Sequence, residues 1–526
     1  MNVSRRSVLA AAGASLAAGC VREPAAALEG GWVGAASDRG HRLRTASGTL
    51  PEPAVRRRAS VLVVGAGIAG LAAARALAQR GIDDIALLEL EDAAGGNSRG
   101  HAIAGMACPL GAHYLPLPGP QAHEVSELLH ELGLLRMESG RVVAEERHLC
   151  HSPQERLFIG GTWIDGLLPP AAPGSATEAQ YRRFASAVTW AQREIGFALP
   201  TARAAWRAEH ASLDAQPFAR WLVDQGLTDA RLRWSLDYSC RDDYGAGMAT
   251  VSAWAGLHYF ASRHGFHAPG DEAAERDPVF TWPEGNAWLA RRLAAPFADR
   301  LHAGRTVLKV EEGRHAVQVW AHDEARGHVE AWTASQVVLA VPLFVAARLL
   351  ASPPPALADA VRRQPHAPWL VANLHLAQAL VDRPGGAPPC WDNVRYGADA
   401  RSLGYVDAMH QSTRPHPGPT VLTAYWALPA SQRRDLLDAD WRPWAQRVID
   451  DLAVAHPDLP AKVRRVDLMR YGHAMSVPVP GLRGSAALAA LRRPSGRVRF
   501  AHADLSGYSV FEEAFFHGTA AGRGLG

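Results

Sequence analysis

Three glycines in the order Gly65-x-Gly67-x-x-Gly70 follow four apolar residues, Val61 to Val64, and open an alanine-rich run that begins Ile68-Ala69. Between a strand and a helix such glycines have separate tasks. Gly65 permits the tight turn out of the strand, Gly67 lets the backbone approach a pyrophosphate, and Gly70 lets the helix sit close on the sheet. Phosphates placed there meet the positive end of the helix. A second apolar run, Ile85 to Leu88, ends at Glu89, at roughly the 20-residue offset where an acid accepts hydrogen bonds from an adenosine ribose. No basic residue beside Glu89 answers a 2′-phosphate, so FAD or NAD fits and NADP fits poorly. Shortly after comes Gly95-Gly96-Asn97-Ser98-Arg99-Gly100, a second glycine pair that brings more backbone amides towards the phosphates. Plain NAD folds do not require this second loop.

On these motifs the chain resembles the FAD-dependent amine oxidase superfamily, which includes monoamine, polyamine and L-amino-acid oxidases and, more distantly, phytoene desaturases. That family joins GxGxxG and the acid to a downstream GGR-x-[ST], and closes with an FAG-[ED] strand leading into a helix. Here Asn97 stands where the family usually has Arg, with Arg99 nearby as a substitute. The chain closes with Val498-Arg499-Phe500-Ala501-His502-Ala503-Asp504, followed by Leu505 to Gly518, similar to the family's last strand and helix. The resemblance gives Asp504 the role of the acid facing the ribityl chain or pyrophosphate. It also aims the positive end of the helix starting near Phe511 at the flavin N1/O2 edge. Trp282 to Leu289 is similar to the family's G-G-x-x-x-L helix start, Thr306 to Val310 to a strand whose Val307 supplies backbone contacts to adenine, and Val337 to Pro342 to the strand that returns under the flavin.

The resemblance further implies a hydride leaving a C–H bond beside nitrogen, with the protein supplying orientation, a dry pocket and charge near N1. Many family members hold a water near flavin N5 with a lysine beyond the Val-Pro strand. The equivalent here is Arg348, which keeps its proton and could hold water but not act as a base. Two aromatic rings usually flank the amine. Candidates are Tyr508, Phe511, Tyr425, Trp426, Trp391 and Tyr471. Tyr508, between Asp504 and the last helix, stands first among them. Tyr471 lies beside His473. His113, His473 and His502 read as structural. The function implied is an exported FAD-dependent oxidoreductase acting on an amine, polyamine or amino acid. The alternatives are a dehydrogenase or desaturase-like protein using an acceptor other than oxygen, or a non-catalytic flavin-binding protein. The partner is then a small amine-like molecule.

Elements must hold these residues in place. The order of motifs predicts an α/β fold, a Rossmann-like FAD-binding domain interleaved with an α+β substrate domain that carries a helical cap. The FAD-binding part is expected at 60–115, 276–345 and 491–526, and the substrate part at 116–275 and 346–490. Apolar spacing predicts cap helices over Glu124 to Leu135, Glu178 to Ile195 and Pro217 to Gly226, and alternation predicts strands over Trp369 to Leu376 and Thr420 to Trp426. At 526 residues, 48% hydrophobic and 20% charged, the chain can bury a large core. A balance of 55 basic against 52 acidic residues gives no footing for nucleic acid. Residues 1–20 read as an address: Ser4-Arg5-Arg6-Ser7-Val8-Leu9 resembles a twin-arginine export signal, and Leu16 to Cys20 resembles a lipobox. This implies the twin-arginine translocase as a partner and a periplasmic location, with Cys20 either lipidated as a membrane anchor or left near a cleavage site. Residues 21–59 read as a surface arm. Cys108, Cys150, Cys240 and Cys390 are widely spaced without a CxxC, so no metal site is expected, and buried thiols are the default over disulfides.

Overall fold

The computed structural model describes residues 28–45, 50–150, 154–263, 265–269, 278–381, 385–410, 416–493 and 495–525. The export signal and Cys20 lie outside the described residues. Two sheets organise the chain. In the first, the strand Val55–Val64 lies between Ile85–Leu88 and His328–Leu339, all parallel, with Leu301–His302 beyond Ile85–Leu88 and Val498–Phe500 added alongside the end of His328–Leu339. Leu62 and Val63 are fully buried because this parallel sheet is covered on both faces, which is why it reads as an unbroken apolar run. The helix Ile68–Gln79 covers one face and is buried along ten of its residues. Val317–Asp323 extends the sheet by antiparallel pairing with the first half of His328–Leu339, and Arg305–Glu312 pairs antiparallel with Val317–Asp323 in turn.

The second sheet has eight strands. Its centre is Val463–Ser476, His366–Leu376 and Thr420–Ala427, paired antiparallel, and it continues through Tyr405–Asp407 and Asp392–Arg395 to Glu155–Ile159 and Thr162–Asp165. A layer of helices lies against it: Ala176–Trp190, Phe218–Asp224, Ala230–Tyr244 and Ala253–Ala261. Tyr181, Phe184, Phe218 and Tyr244 are fully buried there. Phe184 meets Phe260 and Phe266 edge-on, with ring centres at 5.3 and 4.9 Å, the arrangement that ring quadrupoles favour. Each fully buried side chain of this size contributes ~1.5–3 kcal/mol. No helix among the described residues is long and apolar enough to cross a membrane.

The surface arm expected over residues 21–59 is corrected for its described residues, 28–45 and 50–59. Glu29–Trp32 forms the edge strand of the second sheet, parallel to Arg465–Leu468, and Arg470 lies over the Trp32 ring at 4.5 Å. The Ala36 amide donates to Glu91 at 3.1 Å, and Arg39 donates to the Leu90 carbonyl at 2.9 Å and pairs with Asp92 at 2.8 Å. The first strand of the nucleotide sheet already starts at Val55. The partners of Glu29–Trp32 lie at the other end of the chain, so no local pattern announces the strand.

Candidate functional site

The turn after Val64 is built by backbone alone. Gly65 has φ +96°, and a Cβ there would stand 2.5 Å from the Ala340 carbonyl oxygen. At Gly70 a Cβ would stand 1.9 Å from the Gly65 carbonyl oxygen, so Gly70 sets the close packing of helix against strand and faces away from any ligand. A Cβ on Gly67 would find its nearest neighbour, the Gly96 Cα, only at 3.8 Å. Gly67 caps the helix and brings no side chain, which leaves the first-turn amides open to an anion. The second loop folds over this turn: the Gly95 amide donates to the Ala66 carbonyl at 2.8 Å, and Gly95 and Gly96 both take positive φ. Glu89 closes the far side. Its carboxylate accepts from the Ala66 amide at 2.7 Å and the Glu91 amide at 2.9 Å. Burial pushes this carboxyl up, and the two amides and Arg99 oppose the push.

A cavity of about 450 Å³ opens from this cradle. Gly65, Gly67, Ile68, Ala69, Glu89, Gly95, Gly96, Asn97 and Val307 line it, and so do Asp504, Phe511 and Tyr471 from the rest of the chain. Asn97 donates from Nδ2 to the Ala474 carbonyl at 2.9 Å, tying the second glycine loop to the other sheet. Arg99 is not in the cavity wall. Its Nε donates to the Gly96 carbonyl at 3.1 Å, its other nitrogens reach the Gly34 carbonyl and Glu91, and it braces the loop from behind.

Asp504 sits in the short helical turn Ala503–Ser506 and is fully buried. Its Oδ2 accepts from the Leu343 amide at 2.9 Å, and its carboxylate is 3.2 Å from His366 Nε2 and 3.3 Å from His502 Nδ1. Burial works against the charged form, but the two histidines outweigh it and hold this carboxyl well below the usual range. The helix Phe511–Arg523 starts at the cavity with no side-chain cap on Val510, so its amides too face inward. It packs on Ile68–Gln79 at glycine contacts, where a Cβ on Gly518 would stand 2.1 Å from the Ala69 carbonyl oxygen.

The remaining wall is aromatic. Trp369 pairs across strands with Tyr471, and Val371 with Tyr425, so the two-residue period puts these side chains on one face. The Tyr471 hydroxyl donates to the Leu110 carbonyl at 2.8 Å and the Tyr425 hydroxyl to the Gly111 carbonyl at 3.1 Å. His113 stacks on Tyr425 with ring centres 4.3 Å apart. Both rings are therefore held in position, and burial pushes the Tyr471 phenol up to about 12. Burial also lowers His113 to about 3 and His473 to about 4, so both are neutral near pH 7.

Two expected catalytic residues are elsewhere. Arg348 is exposed: on the helix Leu343–Leu349 the buried positions are Leu343, Ala346 and Leu349, and helical rotation turns Arg348 to solvent. Tyr508 is fully buried, but in the core of the helical layer, where it meets Tyr244 and His258 edge-on and donates to Glu513 at 2.9 Å. Gly507, at φ +83°, turns the chain and sends the next side chain away from the cavity. Residues not singled out from sequence also reach the cavity: Asp242 and Asp243 at the end of Ala230–Tyr244, Arg263, and Glu512. Their signal was available, since Asp242-Asp243 places adjacent acids in a helix whose neighbours Tyr238, Cys240 and Tyr244 are apolar and buried.

The cradle fits an adenine dinucleotide. Gly67 leaves room for a pyrophosphate, two helix starts offer amides, and Glu89 presents a buried carboxylate with its orientation fixed. The profile of flavin-containing amine oxidoreductases matches residues 68–524. AofH of Mycobacterium tuberculosis, assigned by name to the flavin-containing monoamine oxidases, is 27% identical over 288 residues, 54% of this chain and 56% of that protein. The chain thus matches about half the length of this curated relative. Cyclohexylamine oxidase from Brevibacterium oxydans superposes with TM-score 0.65 at 19% identity, over 88% of this chain and 98% of that one. Putrescine oxidase bound to putrescine gives 0.64 at 20%, over 89% and 99%. A fatty acid isomerase from P. acnes gives 0.61 at 15%, over 88% and 97%. At these identities the likeness is one of fold. The profile match over most of the chain decides more than fold: this protein belongs to the flavin-containing amine oxidoreductase family, and its cofactor is FAD.

Proposed function

We propose that the protein is an exported FAD-dependent oxidoreductase that oxidises an amine at a carbon bonded to nitrogen. One observation carries this reading: a single cavity joins the dinucleotide cradle to a wall of fixed aromatic rings. Bound FAD supplies the two-electron acceptor for a hydride from that C–H bond. The chain supplies the rest. Gly67, the Gly95-Gly96 loop and Glu89 hold the adenosine diphosphate part, and the start of Phe511–Arg523 directs amide dipoles into the cavity. Trp369, Tyr425 and Tyr471 exclude water and orient the amine, which a dry site favours in its neutral form. His113 and His473 stay neutral and bring no competing cation. The imine product is released to hydrolysis by water. Export is supported by Ser4-Arg5-Arg6-Ser7-Val8-Leu9, because the twin-arginine route carries folded proteins and lets the cofactor be loaded first, with Cys20 as a point of lipid attachment.

One observation favours an acceptor other than oxygen as a second reading. The chain has two lysines: Lys309 pairs with Glu311 and Lys462 with Asp458, and neither lines the cavity. The test begins with cell fractions. The protein is expected in the periplasmic or membrane fraction, and yellow when purified. Amines added under nitrogen should bleach the flavin, and peroxide release on admitting air separates oxidase from dehydrogenase. A folded, colourless protein overturns the cofactor assignment, recovery only from the cytoplasm overturns export, and a flavin that no amine bleaches overturns the activity.

A further inference from the structure

Among the described residues, one end of the cavity gathers more acidic than basic side chains. Asp242, Asp243 and Glu512 line it together with one cation, Arg263. Arg263 Nη2 pairs with Asp243 Oδ1 at 3.2 Å, and its guanidinium also lies 5.1 Å from the centre of the Tyr259 ring. The second oxygen of Asp243, a residue only 7% exposed, is buried with no hydrogen-bond partner. Glu512 is 3% exposed, and among the described residues neither it nor Asp242 accepts a side-chain hydrogen bond. Asp392 stands close enough to add to the negative field at this end, and Arg241 opposes that field at Asp242. Burial, with Asp243 beside it, pushes Asp242 up to about 7, and burial raises Glu512 as well. A buried carboxylate oxygen without a partner, such as the second oxygen of Asp243, is costly to keep, and a bound cation reduces that cost.

Candidate substrates differ in what they bring to this end. A monoamine must present its only nitrogen in neutral form for hydride loss, so it brings no charge. An α-amino acid adds a further carboxylate beside three. An amine with a second basic nitrogen reacts at one end and carries an ammonium at the other. Resting on the proposed amine oxidation, we propose that the cavity selects amines bearing a second, protonated nitrogen, which Asp242 and Glu512 receive.

The test compares a straight-chain α,ω-diamine with the monoamine of the same carbon count, on FAD-loaded enzyme. The wild type is expected to favour the diamine in kcat/KM by about tenfold or more, equivalent to about 1.4 kcal/mol. Asp242→Asn and Glu512→Gln should each collapse that ratio, chiefly through KM. Flavin content per chain and the unfolding midpoint show that each variant is folded, and either variant suffices if the other is not. A ratio near one in the wild type, an unchanged ratio in both variants, or preference for an α-amino acid overturns the proposal. Binding gives an arm independent of turnover. Diamine should raise the unfolding midpoint of the wild type and shift its flavin spectrum more than monoamine does, with the difference lost in the variants. If no amine bleaches the flavin while this difference persists, the oxidation reading fails and the ammonium site stands; if diamine and monoamine bind alike, the ammonium site fails.

Discussion

Tyr508 shows how a side chain's direction decides its role. Its hydroxyl donates to Glu513, whose carboxylate also accepts from the Thr201 amide at 2.6 Å and from the Ser506 hydroxyl. Removing one partner of a buried hydrogen bond costs about 1–3 kcal/mol, and Glu513 is fully buried. Tyr508→Phe should therefore lower stability by about that amount in denaturant titration, while kcat and the flavin spectrum stay as in the wild type. A collapse of kcat with stability intact would return Tyr508 to the chemistry. The contrast with Gly65, Gly67 and Glu89 explains what was legible in the sequence. Each of those acts through backbone geometry set within its own turn or strand end, so type and spacing suffice. Arg348 and Tyr508 were placed by counting along the chain from a motif, and counting does not reveal that a helix turns position 348 outward or that Gly507 reverses direction. Asp242 comes to the cavity from the helix Ala230–Tyr244 and Arg263 from the turn after Ala253–Ala261, through packing that no local pattern encodes.

At the scale of elements, the two helices at the cradle are held by small residues. Gly518 and Gly522 lie one turn apart on Phe511–Arg523, against the carbonyls of Ala69 and Ala73, where added Cβ atoms would stand at 2.1 and 2.6 Å. Arg80 fastens the same pair by donating to the Gly522 carbonyl at 3.0 Å. Gly518→Val must push the helices apart, and overpacking of this kind costs about 1–3 kcal/mol. Because Ala69 is also cavity wall, the displacement reaches the cofactor. FAD retention should weaken by about tenfold for each 1.4 kcal/mol transmitted, read as flavin per chain after dialysis alongside the thermal midpoint. A variant that loses stability but keeps its flavin would show the cradle to be independent of this contact. The strands and helices themselves were largely readable. Trp369 to Leu376 and Thr420 to Trp426 fall within the observed His366–Leu376 and Thr420–Ala427, since alternation is a local property. Glu29–Trp32 was not readable, because an edge strand is defined by its partner.

For the whole molecule, the chain's repeated crossing between the two sheets puts the cavity on their seam, and the seam is stitched by polar contacts. Asn373 donates to the Pro109 carbonyl at 3.0 Å, Tyr471 to Leu110, Asn97 to Ala474, and Gln364 to the Asp504 carbonyl at 2.9 Å. The buried pairing of His366, from the second sheet, with Asp504, beside the last strand of the first, is the contact that pH can address. Asp504 is held below the ordinary carboxyl range against the opposing effect of burial. A carboxyl depressed in the folded state adds stability that is complete above its unfolded pKa, about 3.9, and is lost as pH falls through the folded value. Asp504→Asn keeps the shape and removes the charge. With FAD in excess it should destabilise the protein by about 3–5 kcal/mol near neutrality, the cost of breaking a buried pair. The gap between variant and wild type should then narrow as pH falls below the ordinary carboxyl range, because only the wild type has this contribution to lose. Unfolding midpoints measured across that range decide the matter. A gap that stays constant in acid would mean that Asp504 joins the sheets by shape and hydrogen bonding alone.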